Sequence, residues 1–391
     1  MTLFFFFIFF VYGGVHVYAF LKARQALGFG WTTGVLLALF MLAMVGAIFL
    51  IRTLERHDFE LTARTLSWVT YLWMAAIFLY FCGSLAFDSA NLLLRVPAWL
   101  GIQSVFIRPL QPRFTFAVSL ALSLLICVYG YFDAQNIRTE RLVFETDRLP
   151  KGTDKVTIAQ ISDVHLGLIV RCDRLVAMLE AVKAAKPDIF VVTGDLVDAQ
   201  INHLPGLREL IQEVPARFGK FAITGNHEYY AGLDKAIEFI QHSGLTMLRG
   251  ESRDLGVIQI AGVDDRAAVQ TRTGTPAPDR VALAKTDRSK KFVLFLKHQP
   301  HPDPDAIGMY DLMLSGHTHK GQIWPFSYFS QRAHPLHAGR YDVGKGSVVY
   351  TSRGTGTWGP PIRFLAPPEV TVIELVRKNR PEPPPPLPGK D

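Results

Sequence analysis

Four apolar runs dominate the first third of the chain: Leu3–Leu21, Trp31–Ile51, Leu66–Phe87 and Phe114–Phe132. Each is close to the roughly 20 residues that carry an α-helix across the hydrocarbon of a bilayer. Lipid offers no water to backbone N–H and C=O groups, so a spanning segment of this kind has to be a helix. Charges gather between the runs, at Lys22 and Arg24, Arg52, Arg64, Asp88, Arg113 and Asp133. Trp31, Trp68, Tyr71, Tyr129 and Tyr131 lie near run ends, where amphipathic rings favour the membrane–water interface. Residues 1–133 therefore read as an all-α, four-helix transmembrane anchor. The competing reading of the first run, a signal peptide, lacks a basic leading segment and a small-residue cleavage site. Leu92–Leu110 is also apolar, but Arg95, Pro97 and Arg108 interrupt it, and it reads as interfacial or re-entrant. No run carries an ionisable residue at its centre, the usual mark of an ion or proton pathway. His16 reads as a helix-end residue reaching for the interface. The first run has no basic residue before it and two just after it. That bias favours the amino terminus outside and, after four crossings, a non-cytoplasmic soluble part in a multi-pass cell-membrane protein.

The character then changes. Residues 134–154 are polar and read as a connector. Residues 377–391 are rich in proline and read as a disordered tail. Between them, residues 155–376 alternate strand and helix patterns, the mark of an α/β domain. Val156–Ile161, Ile189–Val192 and Phe221–Ile223 read as strands, each about thirty residues from the next, the length of a β-α-β unit. Helical faces follow at Leu175–Val182, Leu207–Glu213 and Ala236–Ile240. Five more strands are expected at Val257–Val263, Phe292–Leu296, Tyr310–Leu314, Ser347–Thr351 and Val370–Leu375. Asp264–Lys291 reads as a long surface loop and a candidate lid. The net charge of +7 is not gathered into Lys/Arg runs interleaved with aromatics, so no nucleic-acid partner is expected. Cys82, Cys127 and Cys172 have neither metal-ligand spacing nor a disulfide framework. Metal ligation is left to imidazole and carboxylate, which suit hard or borderline ions.

Such ligands recur where strands end. Asp163-Val164-His165, Gly194-Asp195, Gly225-Asn226-His227-Glu228, Lys297-His298 and Gly316-His317-Thr318-His319 each follow an apolar run. Strand carboxyl ends are where α/β sheets build sites. Asp163 and His165 are expected to alternate along an extended segment and face one side. Asp163, His165, Asp195, Asn226, His298, His317 and His319 together exceed what one ion needs. Two divalent ions about 3.5–4 Å apart, sharing a carboxylate, account for the surplus. Asp195 is the best bridge. His301 lies three residues after His298, but His298 sits nearer its strand end. His334 and His337 fall in the irregular stretch Tyr328–Lys345 and read as surface residues.

In order and spacing, these five motifs resemble the series of the calcineurin-like metallophosphoesterases, over residues 155–376. Ser352-Arg353-Gly354-x-Gly356, followed by Trp358-Gly359, resembles the membrane-anchored bacterial subgroup. That subgroup includes phosphodiesterase-like proteins and relatives that cleave the pyrophosphate of acylated sugar-nucleotide lipids. One departure is Lys320, where the subgroup usually has glycine. The resemblance implies a four-layer α-β-β-α sandwich. It implies one ion on Asp163, His165, Asp195 and His319, and another on Asp195, Asn226, His298 and His317. His227 would be the catalytic imidazole. Manganese, iron or zinc would suit the ligands. Together the ions would make hydroxide available near neutral pH for in-line attack on phosphate mono- or diesters or pyrophosphates.

Around that core, Asp198 orients a ligand or caps a helix, and Glu228 reads as a structural hydrogen-bond acceptor. Arg353 is a candidate substrate-binding residue able to clamp a phosphate; pairing with a structural carboxylate is its other reading. The chain is thus expected to be a dinuclear, membrane-anchored phosphoesterase whose partners are the bilayer and a phosphoester, with lipid-linked substrates among the candidates. The alternative is a non-catalytic, metal-stabilised binding scaffold at the membrane.

Overall fold

The computed structural model describes residues 2–100, 108–198 and 206–378, with the side chains of residues 2–9 and of Ala98 outside that description. Four helices come first: α1 (Thr2–Leu27), α2 (Trp31–Arg56), α3 (Glu60–Trp99) and α4 (Pro112–Gln135). Among the described residues three of them, α2, α3 and α4, are long and apolar enough to cross a membrane by length and composition. The first expected span, Leu3–Leu21, is helical within α1, but part of its side chains lies outside the description.

The 40 residues of α3 would extend about 60 Å, twice the roughly 30 Å hydrocarbon thickness. The helix runs through Asp88 and Arg95 and reaches Pro97 in its last turns. Leu92–Trp99 therefore continues the third helix and is not a separate interfacial piece; residues 101–107 lie outside the described residues. Asp88 is met by two side chains of α1, Lys22 and the Tyr18 hydroxyl, the latter at 2.6 Å. His16 also departs from expectation, because it is buried inside the bundle. Its Nδ1 donates to the Tyr12 carbonyl at 2.8 Å, and its Nε2 accepts from Trp73 Nε1 at 2.9 Å. With both ring nitrogens engaged, His16 ties α1 to α3.

The rest is a sandwich of two six-stranded sheets. The first holds β1 (Arg138–Thr146), β2 (Lys155–Ile161), β3 (Ile189–Thr193), β4 (Lys220–Ile223), β5 (Thr246–Met247) and β12 (Glu369–Arg377), in the order β1-β12-β2-β3-β4-β5. The second holds β6 (Glu251–Asp254), β7 (Gln259–Gly262), β8 (Val293–Leu296), β9 (Leu312–Ser315), β10 (Gly339–Gly344) and β11 (Ser347–Thr351), in the order β10-β11-β9-β8-β7-β6. Neighbours from β2 to β5 and from β7 to β9 run parallel. Side chains alternate across a strand. Val156 and Ile158 of β2, Ile189 and Val191 of β3, and Leu294 and Leu296 of β8 meet between the sheets. Ala159, Ile161, Phe190 and Val192 face outward, against α5 (Cys172–Ala184), α6 (Leu207–Gln212) and α7 (Leu233–His242). The outer face of the second sheet has a thinner cover, from the short helix Asp279–Ala282, Leu283, Ala306 and Leu336. The expected α-β-β-α order is present with this light fourth layer, and part of the expected loop Asp264–Lys291 belongs to it.

Residues 138–146 of the expected connector form β1, paired in parallel with β12 along its whole length. The domain is therefore close to α4, and it docks on the bundle directly. Ala75 and Leu79 of α3 are buried with Ile323 and Ile362, beside Ile126 and Cys127 of α4. Arg363 N–H donates to the Gly130 carbonyl of α4 at 2.9 Å. Arg171 pairs with Glu60, and Arg174 donates to Gln135 and to the Ala134 carbonyl. Gly130 permits the close approach, since a Cβ there would stand 2.9 Å from the Arg363 carbonyl oxygen and 3.2 Å from Ile362 Cβ. Gly130→Val is expected to destabilise the full-length protein in detergent by about 1–3 kcal/mol, the usual cost of overpacking. Gly46→Val, at an exposed position with nothing within 4 Å of its Cβ, is the control and should change the thermal midpoint little.

Candidate metal centre

β2, β3, β4, β8 and β9 release their loops at one edge of the sandwich, and these loops carry the seven expected ligands. The backbone there is not the extended one expected for Asp163-x-His165. Asp163, His165, Asp195, His317 and His319 all have φ between 48° and 72°. Left-handed backbone costs of order 1–3 kcal/mol for such residues and concentrates at functional sites. Two glycines allow the loops to meet. A Cβ on Gly225 would overlap the Asp195 carboxylate, and one on Gly316 would overlap Ser162 Oγ and an Asp163 carboxylate oxygen.

Three donor triads run into one another: Asp163, His165 and His319; His165, Asp195 and His227; Asp195, His298 and His317. Within each, the ligand atoms lie within 4.8 Å. His165 Nε2 is 3.1 Å from His319 Nε2, His319 Nε2 is 3.5 Å from Asp163 Oδ1, and His298 Nε2 is 3.2 Å from Asp195 Oδ2. Asn226 Oδ1 joins the far end, 3.2 Å from His298 Nε2. The donor set fits divalent cations. Ligand atoms about 2.1 Å from one ion stand about 3.0–3.5 Å apart, the spacing found here. The ring nitrogens facing inward are also the right ones. His298 Nδ1 donates to the Thr193 carbonyl at 2.8 Å, which leaves Nε2 toward Asp195 and Asn226. Arg363 donates to His319 Nδ1 at 3.0 Å, which leaves Nε2 toward Asp163 and His165. Such outer contacts fix ring orientation in metal sites.

Asp163 and Asp195 are almost wholly buried, at 0% and 2% exposure. Burial raises the Asp163 pKa. Burial also works against the Asp195 carboxylate, yet the charges of His298 and His227 overcome it and hold the group well below its usual range. Burial pushes His317 and His319 well below theirs, toward the neutral form that binds metals. His227 goes the other way. Burial would lower it, but the Asp195 charge and the Asp198 hydrogen bond raise it to about 9.

Asp198 takes the orienting role. Its Oδ1 is 2.9 Å from His227 Nδ1, and its carbonyl is 3.0 Å from the same nitrogen. Glu228 accepts backbone N–H groups from Asp195, Leu196, Val197 and Gly225 at 2.6–3.3 Å, so it fastens the Asp195 loop to the Asn226 loop. Tyr230 and Trp358, both more than half exposed, place their rings 5.4 and 5.7 Å from His227 at the mouth.

Other expectations come out differently. The Arg353 guanidinium is engaged by Glu140, Glu369 and the Pro367 carbonyl, and by no member of the donor cluster. His301 pairs with His334 at 2.9 Å, outside the triads. His334 is half-buried, and its ring lies 4.9 Å from that of His317. His337 is buried. Arg363, fully buried and donating to the carbonyls of Gly356, His319, Arg353 and Ala366, was not singled out by the sequence, because no motif contains it. Gly316→Ala displaces the Asp163 carboxylate without removing a donor. It is expected to lower bound metal at least tenfold in elemental analysis while circular dichroism stays native.

Residues 156–321 match the family model described as calcineurin-like phosphoesterase. A protein of Aquifex aeolicus named an uncharacterized metallophosphoesterase is 37% identical over 261 residues, 66% of this chain and 99% of that one. One from Campylobacter jejuni, also named an uncharacterized metallophosphoesterase, is 30% identical over 68% of this chain and 71% of its own. A Danio rerio protein named a transmembrane protein with metallophosphoesterase domain is 29% identical over 66% of this chain and 62% of its own. With its donor triads at the strand ends of a two-sheet sandwich and relatives matched over most of their length, the chain belongs to the calcineurin-like phosphoesterase family.

Proposed function

We propose that the chain is a multi-pass membrane protein, anchored by residues 1–133, that hydrolyses a phosphoester or pyrophosphate bond at a dinuclear centre. The observation that carries this reading is the run of three triads sharing His165 and Asp195, with His227 beside them and held by Asp198. Asp163, His165, Asp195 and His319 would hold one divalent ion. Asp195, Asn226, His298 and His317 would hold the other, with manganese, iron or zinc as candidates. When bound, such a pair supplies an activated water near neutral pH and offsets the phosphoryl charge.

The chain's own residues do the rest. His227, with Nδ1 donating to Asp198, presents Nε2 as the ring atom that passes a proton to the leaving oxygen. Asp198 fixes the ring's orientation, and Asp195 and Asp198 together keep it charged. Trp358 and Tyr230 close over His227 and reduce access of bulk water to the proton being moved.

The substrate we infer is amphiphilic, a phosphorylated or pyrophosphate-linked lipid. The support is the docking of the domain on α3 and α4. On this reading the catalytic domain faces the non-cytoplasmic side, in line with Lys22 and Arg24 following the first helix. Protease that reaches the domain in intact cells would agree; digestion only after lysis would reverse that assignment.

Two variants separate the assigned roles. Asp195→Ala is expected to lose both metal and turnover. His227→Ala should keep its metal and lose about 10²–10⁴ in kcat, the size of general-acid help. Metal loss in His227→Ala would make it a ligand. A fully metallated wild-type protein without activity on phosphomonoesters, diesters or pyrophosphates would leave the scaffold reading standing.

A further inference from the structure

The helix Ser327–Ala333, eight residues after His319, buries none of its residues. It nevertheless carries Tyr328 and Phe329, exposed at 64% and 69%. Phe326 and Trp324 just before it are exposed at 49% and 43%, and Leu365 nearby in the fold at 56%. Ile323–Phe329 holds no charge at all. Contiguous apolar surface of this kind marks an interaction site.

Its position says with what. The Phe326 ring lies 6.4 Å from that of Phe78 on α3, and the Phe364 ring 6.1 Å from that of Tyr129 on α4. Ile323 and Ile362 are buried against Ala75 and Leu79. Phe78 is 14 residues past Arg64 and 10 before Asp88, about 21 and 15 Å along the helix. It therefore sits well inside the apolar stretch of α3, not at its end. Hydrocarbon that covers Leu66–Phe87 reaches, at the same depth, the rings packed on Phe78. The edge is also continuous with the exposed apolar face of α4, made by Leu125, Val128, Tyr129 and Phe132.

We propose that the edge formed by Trp324, Phe326, Tyr328, Phe329 and Leu365 is embedded in the hydrocarbon of the bilayer. The partner is the lipid itself, and the domain is immersed at this edge, not merely tethered above the membrane. The inference rests on the helices spanning the membrane and not on the phosphoesterase reading. It also connects lipid to site. Gln322, between His319 and the edge, grips the Trp358 backbone, accepting its N–H on Oε1 and donating from Nε2 to its carbonyl, both at 2.9 Å. Trp358 in turn stands over His227. Lipid at this edge is thus linked through Gln322 and Trp358 to His227.

The test uses the full chain in phosphatidylcholine–phosphatidylglycerol vesicles, with Cys82, Cys127 and Cys172 replaced by serine. Spin labels go singly on Phe329→Cys, on Leu125→Cys of α4 and on Glu238→Cys of the exposed surface of the helix Leu233–His242. Their relaxation by oxygen is compared with that by a water-soluble nickel chelate. The proposal expects oxygen to exceed nickel at 329 by a factor near that at 125, with the reverse at 238. A water-like ratio at 329 beside a lipid-like ratio at 125 overturns it. Protection of 329 from both relaxants also overturns it, by pointing to a protein partner such as a second copy. A water-like ratio at 125 sinks the spanning helices and this inference with them, while leaving the esterase chemistry untouched.

Discussion

Two buried carboxylates set the terms for the catalytic domain. Asp163 and Asp195 lie at the sandwich edge with almost no access to water, and a buried charge is costly unless it is paired. Imidazoles from five other positions surround them, at spacings suited to ions between the groups. Holding so many donors together forces the backbone into left-handed conformations at five of the expected ligands. That strain persists because the neighbouring structure over-determines it. Glu228 anchors four amides of the facing loops, and glycines at 225 and 316 remove the atoms that would keep those loops apart.

Arg363 shows how far this centre reaches. Its guanidinium is spent on four carbonyls and on His319 Nδ1, while its backbone N–H is held by Gly130 of α4. Burial lowers its pKa to about 9, so it stays a cation at neutral pH. One residue therefore joins a helix of the apolar bundle to a ring of the donor cluster. The bundle and the centre share a wall, and the domain is a docked body, not one on a free leash.

The legible parts of the sequence were those where chemistry dictates residue type. Asp, His and Asn after β-branched runs name their own positions, and the apolar runs name the helices. Alternation of Val156, Ile158, Ala159 and Ile161 between the two faces of β2 likewise follows from a period of two. What stayed hidden depends on tertiary partners. β1 carries Arg138, Glu140 and Arg141 and reads as polar, yet it pairs with β12 as an edge strand. Pro97 looks like a break but falls in the last turns of α3, where little helix remains to disrupt. His16 looked like an end residue because Trp73, its partner, is distant in sequence. Arg353 carried the motif signal, while Arg363, ten residues on and outside any motif, makes the contact to the site.

The most direct test is the number and position of ions in the wild-type protein. Crystals of the full chain grown with manganese, and measured at wavelengths either side of its absorption edge, should give two anomalous peaks. One belongs among Asp163, His165 and His319, the other among Asn226, His298 and His317, with Asp195 touching both. A single peak, or a peak bonded to His227, would contradict the dinuclear centre and the role given to that imidazole.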